Sequence, residues 1–470
     1  MNRIIQYVEE YLDKIFSLRL NGLTDLDATA SLLTEDSKEL SRNILQTIID
    51  EMNVDLREDK SSRKEMGLVL HEKDRKRKLL TELGEIEFRR DYYYCKEDGR
   101  YEYPLDKMLS IQPRARIGET ICAKLVTKAT EESYGKSAAD VTGGVVSRQT
   151  VRNKILEAPV LEKQPEGTKK RQVRVLDVYA DEDHVHMQKP FKERGKKNKV
   201  VPLVTVTEGM RRVDERRNKT INPMHFVDEK MCAKELWASV EGYIDKAYDV
   251  EEITAIRIHA DGGKWIANGL ENFANVEHVM DGYHLQKELK KLDRRFRGKT
   301  VKYRLSKALE EDCRDKAELI LAELYKDCKE ETDCEAVQET QTYLLGNWEA
   351  AVNRYRSDVT GSCTEAQVSH VLSERFSRDP MGWSEEGLGK LSKLRVYCKN
   401  GGRIEAAHFK STYKCDERYS EYARRYLEEQ KCDYDLGWLS DMSERYVFDT
   451  ASGTQQAIRF LGRTNISIFS

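Results

Sequence analysis

The sequence is poor in the features that would take it out of the class of folded, water-exposed chains. Proline occurs 8 times and glycine 27 times in 470 residues, too seldom for a fibrous repeat or for long disordered linkers. The ten cysteines are scattered and form no CxxC pair, which argues against a zinc ribbon. No secretion signal is present, so they read as reduced thiols. No apolar run approaches the ~20 residues of a membrane span, and the start, Met1-Asn2-Arg3-Ile4-Ile5, has no signal-peptide stretch. These absences predict a cytoplasmic protein with no membrane partner. Hydrophobic residues make up 39% and charged residues 35%, enough core for two to four domains at this length.

An excess of charge of either sign is also missing: the net charge is −3. Its distribution is uneven. Lys189 to Lys219 holds eleven Lys or Arg against four acids, and Lys287 to Arg304 holds nine against two. Leu305 to Thr340 reverses the balance, with twelve acids against five bases. Such runs are often only solvated helix faces; beside a DNA-handling site they would hold phosphates.

The periodicity predicts a multi-domain α+β chain. Residues 1–82 read as an N-terminal helical region, with Ile4, Ile5, Val8, Tyr11, Leu12, Ile15 and Leu18 at helical spacing. Residues 83–115 read as a β-hairpin segment, turning at Lys96-Glu97-Asp98-Gly99. Residues 116–160 give three short helices. The last opens with Ser147, and Val151 and Ile155 face inward while Arg148, Gln149, Arg152 and Asn153 face outward. That pattern suits the recognition helix of a helix-turn-helix DNA-binding domain. Residues 172–286 give three strands, a helix, a strand, a helix and a strand, the order of the first part of an RNase H-like α/β core. An all-helical insertion (287–355), a last core helix (356–400) and a C-terminal helical region (401–470) follow.

Two of the core strands end in acids, Asp181 and Asp261. Opening a phosphodiester in line calls for two divalent ions ~4 Å apart, and hard ions want carboxylates from several segments. The carboxyl ends of strands supply such convergence. Asp181, Asp183 and Asp177 share one strand face, His184 and His186 the other. A third acid is not singled out by chemistry alone. Glu365 opens a helix, where an acid can simply complement the dipole.

Four segments taken together carry a resemblance: Ala180-Asp181-Glu182-Asp183-His184-Val185-His186, His259-Ala260-Asp261-Gly262-Gly263-Lys264-Trp265, Met280-Asp281-Gly282-Tyr283-His284 and Thr364-Glu365-Ala366-Gln367-Val368-Ser369-His370. In this order the chain resembles the ISLre group of bacterial insertion-sequence transposases, related to the Mutator-like branch of the DDE transposases. The resemblance implies an RNase H-like fold and a nucleoid-associated enzyme that cleaves and joins DNA. It implies Asp181, Asp261 and Glu365 as metal ligands, Asp281 and His284 lining the site, and two Mg²⁺ ions for which Mn²⁺ can substitute. Counted back from Val185 and Met187, the family spacing favours Asp181 over Asp183. Double-stranded DNA, both transposon ends and target, would be the partner, gripped by Lys196, Lys197, Lys199, Arg294, Arg295 and Arg297. A homodimer or larger assembly would form on it. Two other readings share these features: a helix-turn-helix regulator descended from a transposase that has lost catalysis, and a related RNase H-like DNA nuclease.

Overall fold

The computed structural model describes residues 2–429 apart from 21–24, 166, 168, 189–197, 215–217, 264, 267, 268, 270–272, 274, 360, 362, 380 and 411–416. Among these residues the chain is a mixture of helices and several sheets, divided into two units on either side of Gly118, with helix Glu417–Glu429 belonging to the first. No helix among them is long and apolar enough to cross a membrane.

The first unit runs through α1 (Asn2–Leu20), α2 (Leu26–Glu58), α3 (Lys60–Glu65), β1 (Leu68–Thr81), β2 (Gly84–Cys95), β3 (Arg100–Glu102) and α4 (Pro104–Met108). Asp25 caps α2, accepting from the N–H groups of Asp27 and Ala28, as a short carboxylate does for unpaired first-turn donors. One face of the β1-β2-β3 sheet is apolar: Leu79, Ile86 and Phe88 pack with Ile49 of α2 and Leu105. The sequence reads as helical to about residue 80, whereas the structure starts a strand at Leu68. His71 to Lys78 is almost wholly charged and shows no period of its own. Its conformation comes from antiparallel pairing with β2, from Leu68 opposite Cys95 to Thr81 opposite Gly84. Gly84 closes that turn at φ +104, where a side chain would be strained and would meet Arg42.

The second unit begins with α5 (Glu119–Glu131), α6 (Tyr134–Thr142) and α7 (Arg148–Glu157), followed by β4 (Val175–His186), β5 (Asn198–Thr207), the short pair β6 (Met210–Arg212) and β7 (Asn218–Thr220), β8 (Met224–Phe226), α8 (Ala233–Ala247), β9 (Ala255–Ala260) and β10 (Val276–Met280). Five strands form one sheet in the order β10-β9-β4-β5-β8. β4, β9 and β10 are parallel, and β5 runs antiparallel to β4 and β8. β9 is buried at every position, Arg257 and His259 included, as strands inside parallel sheets are. Leu236, Trp237, Val240 and Ile244 of α8 cover one face, packing on Leu176, Val178, Val204 and Ile258. Each such side chain contributes about 1.5–3 kcal/mol on burial.

Beyond β10, five helices, α9 (Gly282–Arg295), α10 (Val301–Glu310), α11 (Arg314–Lys326), α12 (Glu331–Gly346) and α13 (Trp348–Asn353), build their own apolar cluster around Leu289, Leu305, Leu321 and Val337. α14 (Thr364–Val368) then packs on β4 and passes through one π-helical turn (Ser369–Ser373) into α15 (Glu374–Phe376) and α16 (Glu385–Lys399). α5 and α7 pack on α16.

Candidate active site

Asp261 and Asp281 directly follow the parallel strands β9 and β10, whereas β4 does not end at Asp181 as the sequence suggests: it pairs with β9 as far as Tyr179 and continues along β5 to His186. Tyr179 of β4 pairs with His259 of β9, and Ala260 of β9 with Met280 of β10. Continuing both registers sets Asp181 level with Asp261, and Asp261 level with Asp281. Neighbouring strands lie about 4.8 Å apart, so three carboxylates are drawn into one row at the edge where α/β sheets form their ligand sites.

Each acid is held by local backbone. Asp181 Oδ1 accepts from the N–H of Glu182 at 2.8 Å. Asp261 Oδ1 accepts from Gly263 at 2.9 Å, across a turn that needs Gly262 at φ +91. Asp281, fully buried, caps α9: its Oδ2 accepts from the N–H groups of Tyr283 (3.0 Å) and His284 (3.1 Å), and lies 3.2 Å from His284 Nδ1. That interaction with Asp281 raises the pKa of the His284 imidazole, with the charges of Asp181 and Asp261 adding to it. Burial pushes the Asp181 carboxyl up to about 6; the charges of Asp261 and Asp281 work in the same direction, and His284 works against them.

This environment sorts the acids that share one face of β4. Asp177 lies 2.8 Å from His259 Nε2, inside the sheet and beneath the His259–Tyr179 ring stack. Asp183 accepts from the Ser377 hydroxyl at 2.8 Å, and burial raises its pKa. Asp181 is the one of the three under the charges of Asp261, Asp281 and His284 together. Glu365 sits exposed in the first turn of α14 and lines a cavity of about 410 Å³ with Asp281, Tyr283, Cys363, Ser369 and His370. Among the described residues, the trio whose donor atoms all fall within 4.8 Å is Cys95, Asp98 and Glu102 of the first unit; Asp181, Asp261 and Glu365 do not close to that distance. Nor do Asp181, Asp261 and Asp281; a pair of ions ~4 Å apart would spread its ligands more widely than one ion does.

The displaced carboxyl has a cost that can be measured without any assay of activity. Because the folded pKa of Asp181 lies above the ordinary ~3.9, its contribution to stability is fully present below that value and is lost as pH rises through about 6. Above that pH the buried charge destabilises the fold. Asp181→Asn is therefore expected to melt higher than wild type in EDTA at pH 8, by on the order of 1–3 kcal/mol. The gain should shrink towards pH 4.5 in thermal melts, and equal melting temperatures at pH 8 would contradict the electrostatic picture.

The residues expected to grip DNA fare unequally. Ser147 caps α7, Val151 and Ile155 are fully buried, and Arg148, Gln149 and Asn153 are exposed. Arg152 lies 4.0 Å from Glu386, and Gln149 donates to Asn153 at 2.9 Å. Lys199 is paired with Glu385, and Arg295 with Asp333 at 2.8 Å. Arg294 and Arg297 are exposed and form no ion pair among the described residues. Lys196 and Lys197 lie outside the described residues. Two features escape sequence reasoning. The His259–Asp177 pair depends on the pairing of β4 with β9. Arg375 is a buried cation donating to the carbonyl of Ala129 at 2.9 Å and stacked 4.8 Å from Trp383.

Comparison with known proteins gives a family and a few relatives. The model of an uncharacterised protein family (UPF0236) matches residues 20–412. A UPF0236 protein of Caldanaerobacter subterraneus subsp. tengcongensis is 37% identical over 410 residues, 86% of this chain and 84% of the relative. A UPF0236 protein in the vanSb 3′ region of Streptococcus gallolyticus is 24% identical over 355 residues, 70% of this chain and 74% of the relative. Among solved structures, the Drosophila P element transposase strand transfer complex matches at a TM-score of 0.22 with 9% identity, over 68% of this chain and 94% of that one.

Proposed function

We propose that this chain, which belongs to the uncharacterised protein family UPF0236, is a DNA transposase that cleaves and joins strands with Asp181, Asp261 and Glu365 on an RNase H-like core. The observation that carries the reading is the register-aligned row of Asp181, Asp261 and Asp281 with His284 beside it. The sheet supports the fold: β4, β5 and β8 form an antiparallel meander, and β9 and β10 add in parallel on the far side of β4. The likeness of its four motifs to the ISLre group points the same way.

In this reading Asp181 and Asp261 hold divalent ions, with Glu365 supplying the third carboxylate from the cavity it shares with Asp281. Bound Mg²⁺, or Mn²⁺ in its place, would neutralise the attacked phosphodiester and make the attacking oxygen a better nucleophile. The chain's own groups orient the reaction. Asp281 fixes the start of α9 and aims the His284 ring, whose pKa it raises, toward the acids of the row. In the first step water attacks the phosphodiester at the transposon end; the flank keeps the phosphate and a 3′-hydroxyl is freed. In the second, that hydroxyl attacks a target phosphodiester and displaces the target's own 3′-oxygen. The exposed face of α7 would read the terminal inverted repeats in a helix-turn-helix manner, and Arg294 and Arg297 would hold phosphates. Bringing two ends together requires a homodimer or larger assembly on DNA.

The test is incubation of the purified chain with Mg²⁺ and a duplex carrying the element's own ends. A nicked end with a free 3′-hydroxyl, followed by joined product, is expected. Binding without cleavage would replace this reading with a DNA-binding regulator that has lost catalysis, and cleavage without joining would replace it with a related nuclease.

A further inference from the structure

Around Tyr92 of β2 the first unit's sheet is built of tyrosine and arginine. Tyr92 stacks on Tyr101 with ring centres 5.3 Å apart and leans on Tyr103 at 4.6 Å; Arg75 lies over Tyr92 at 4.6 Å and Arg90 over Tyr103 at 3.5 Å. Beside this ladder opens a cleft of about 1060 Å³ lined by seven Lys or Arg and three carboxylates. Lys76 is paired with Glu87, Lys78 with Glu85 and Lys107 with Glu102, so the uncompensated charge belongs to the arginines. Arg77 and Arg90, both largely buried, share the single carboxylate oxygen Asp106 Oδ2. Burial and the neighbouring guanidinium of Arg77 bring the Arg90 pKa down to about 10. Arg77 also donates to the carbonyls of Gln112 (2.9 Å) and Ala115 (3.0 Å), pinning the loop that carries Arg114 and Arg116. Those two arginines are exposed and have no ion-pair partner among the described residues.

A fixed, cation-rich cleft beside a half-exposed tyrosine ladder has the two parts that single strands are gripped by: charge for the backbone and a flat ring for a base. We infer that this cleft binds single-stranded DNA, with phosphates on Arg114 and Arg116 and an unpaired base stacked on Tyr101, whose exposure is 49%. The inference rests on the reading of the chain as a DNA-handling enzyme and adds a second grip, far in sequence from α7, for a strand freed at the cut end. A duplex offers phosphates but no free base face, so the tyrosines favour the unpaired strand.

The test uses the full chain in EDTA, where no strand is cut, and follows the fluorescence anisotropy of a labelled oligothymidylate of about 16 nucleotides, the upper site size of a single-strand groove. Arg114→Glu/Arg116→Glu, both in an exposed loop, is expected to weaken binding at least about tenfold and to flatten the salt dependence by about 0.7 for each phosphate that is no longer neutralised. Tyr101→Ala is expected to weaken it about fivefold or more, while Tyr101→Phe retains wild-type affinity. Unchanged affinity and salt slope in the arginine pair would overturn the inference. So would release of the oligonucleotide by inorganic phosphate at an ionic strength where chloride leaves it bound, because the site would then recognise phosphate alone. If duplex ends are cleaved while the cleft variants bind normally, this inference falls and the enzymatic reading stands. If the cleft variants lose binding and wild type never cleaves, the second grip stands and the enzymatic reading falls.

Discussion

Asp261→Asn and Asp181→Asn are each expected to lower DNA cleavage and joining at saturating Mg²⁺ by at least about a thousandfold, equivalent to about 4 kcal/mol of transition-state stabilisation. Asparagine keeps the shape and the local hydrogen bonds, including acceptance from Glu182 or Gly263, but removes the charge a hard dication needs. Binding to duplex ends in EDTA is expected to stay as in wild type, since neither residue belongs to the basic surfaces. Asp183→Asn is the informative contrast. Its carboxylate accepts from Ser377, a hydrogen bond an amide oxygen can replace, so the loss should stay below about tenfold, within about 1.4 kcal/mol. Single-turnover gel assays of the three variants side by side decide the matter. Collapse of Asp183→Asn with survival of Asp181→Asn would exchange the two roles, and survival of Asp261→Asn would move the active site elsewhere.

The longer strands of the large sheet were legible because apolar, largely β-branched residues recur along them between turns, a pattern that needs no partner to be recognised. β1 was not, because its polar sequence carries no period and is shaped by β2. Asp261 could be picked out as a strand end, but Asp181, read the same way, lies in the middle of β4, which runs on to His186; the alignment of both with Asp281 depends on β9 lying between β4 and β10, and no spacing along the chain contains that neighbourhood. The choice among Asp177, Asp181 and Asp183 has the same character: period two puts all three on one face, and His259, the Asp261–Asp281–His284 group and Ser377 tell them apart. Glu365, exposed at the start of a short helix, has no local feature to distinguish it from a dipole-complementing acid, which is why only the family motif pointed to it.

Arg395→Met is expected to cost the second unit about 3–5 kcal/mol, seen as a drop in melting temperature on the order of 10 °C. The guanidinium is 1% exposed, and its partners are carbonyls that helix geometry leaves without donors. The carbonyl of Thr130, at the end of α5, receives Nη1 at 2.6 Å, because the last carbonyls of a helix have no intrahelical partner. Those of His370 (from Nη2, 2.9 Å) and Val371 (from Nε) lie in the π-helical turn that follows α14. Glu131 supplies the counter-charge at 2.8 Å. Methionine fills much of the volume but satisfies none of these acceptors, and a buried acceptor left unmade costs more than the bond itself contributes. Lysine can reach one carbonyl at a time and should recover only part of the loss. The consequence for function follows from what the arginine joins: α5, which packs against α6 and α7, and the turn that continues the Glu365 helix. A temperature at which Arg395→Lys is still folded but cleaves slowly, with duplex affinity unchanged, would mean that this guanidinium also holds Glu365 in place. A variant that keeps wild-type cleavage whenever it is folded would restrict Arg395 to stability.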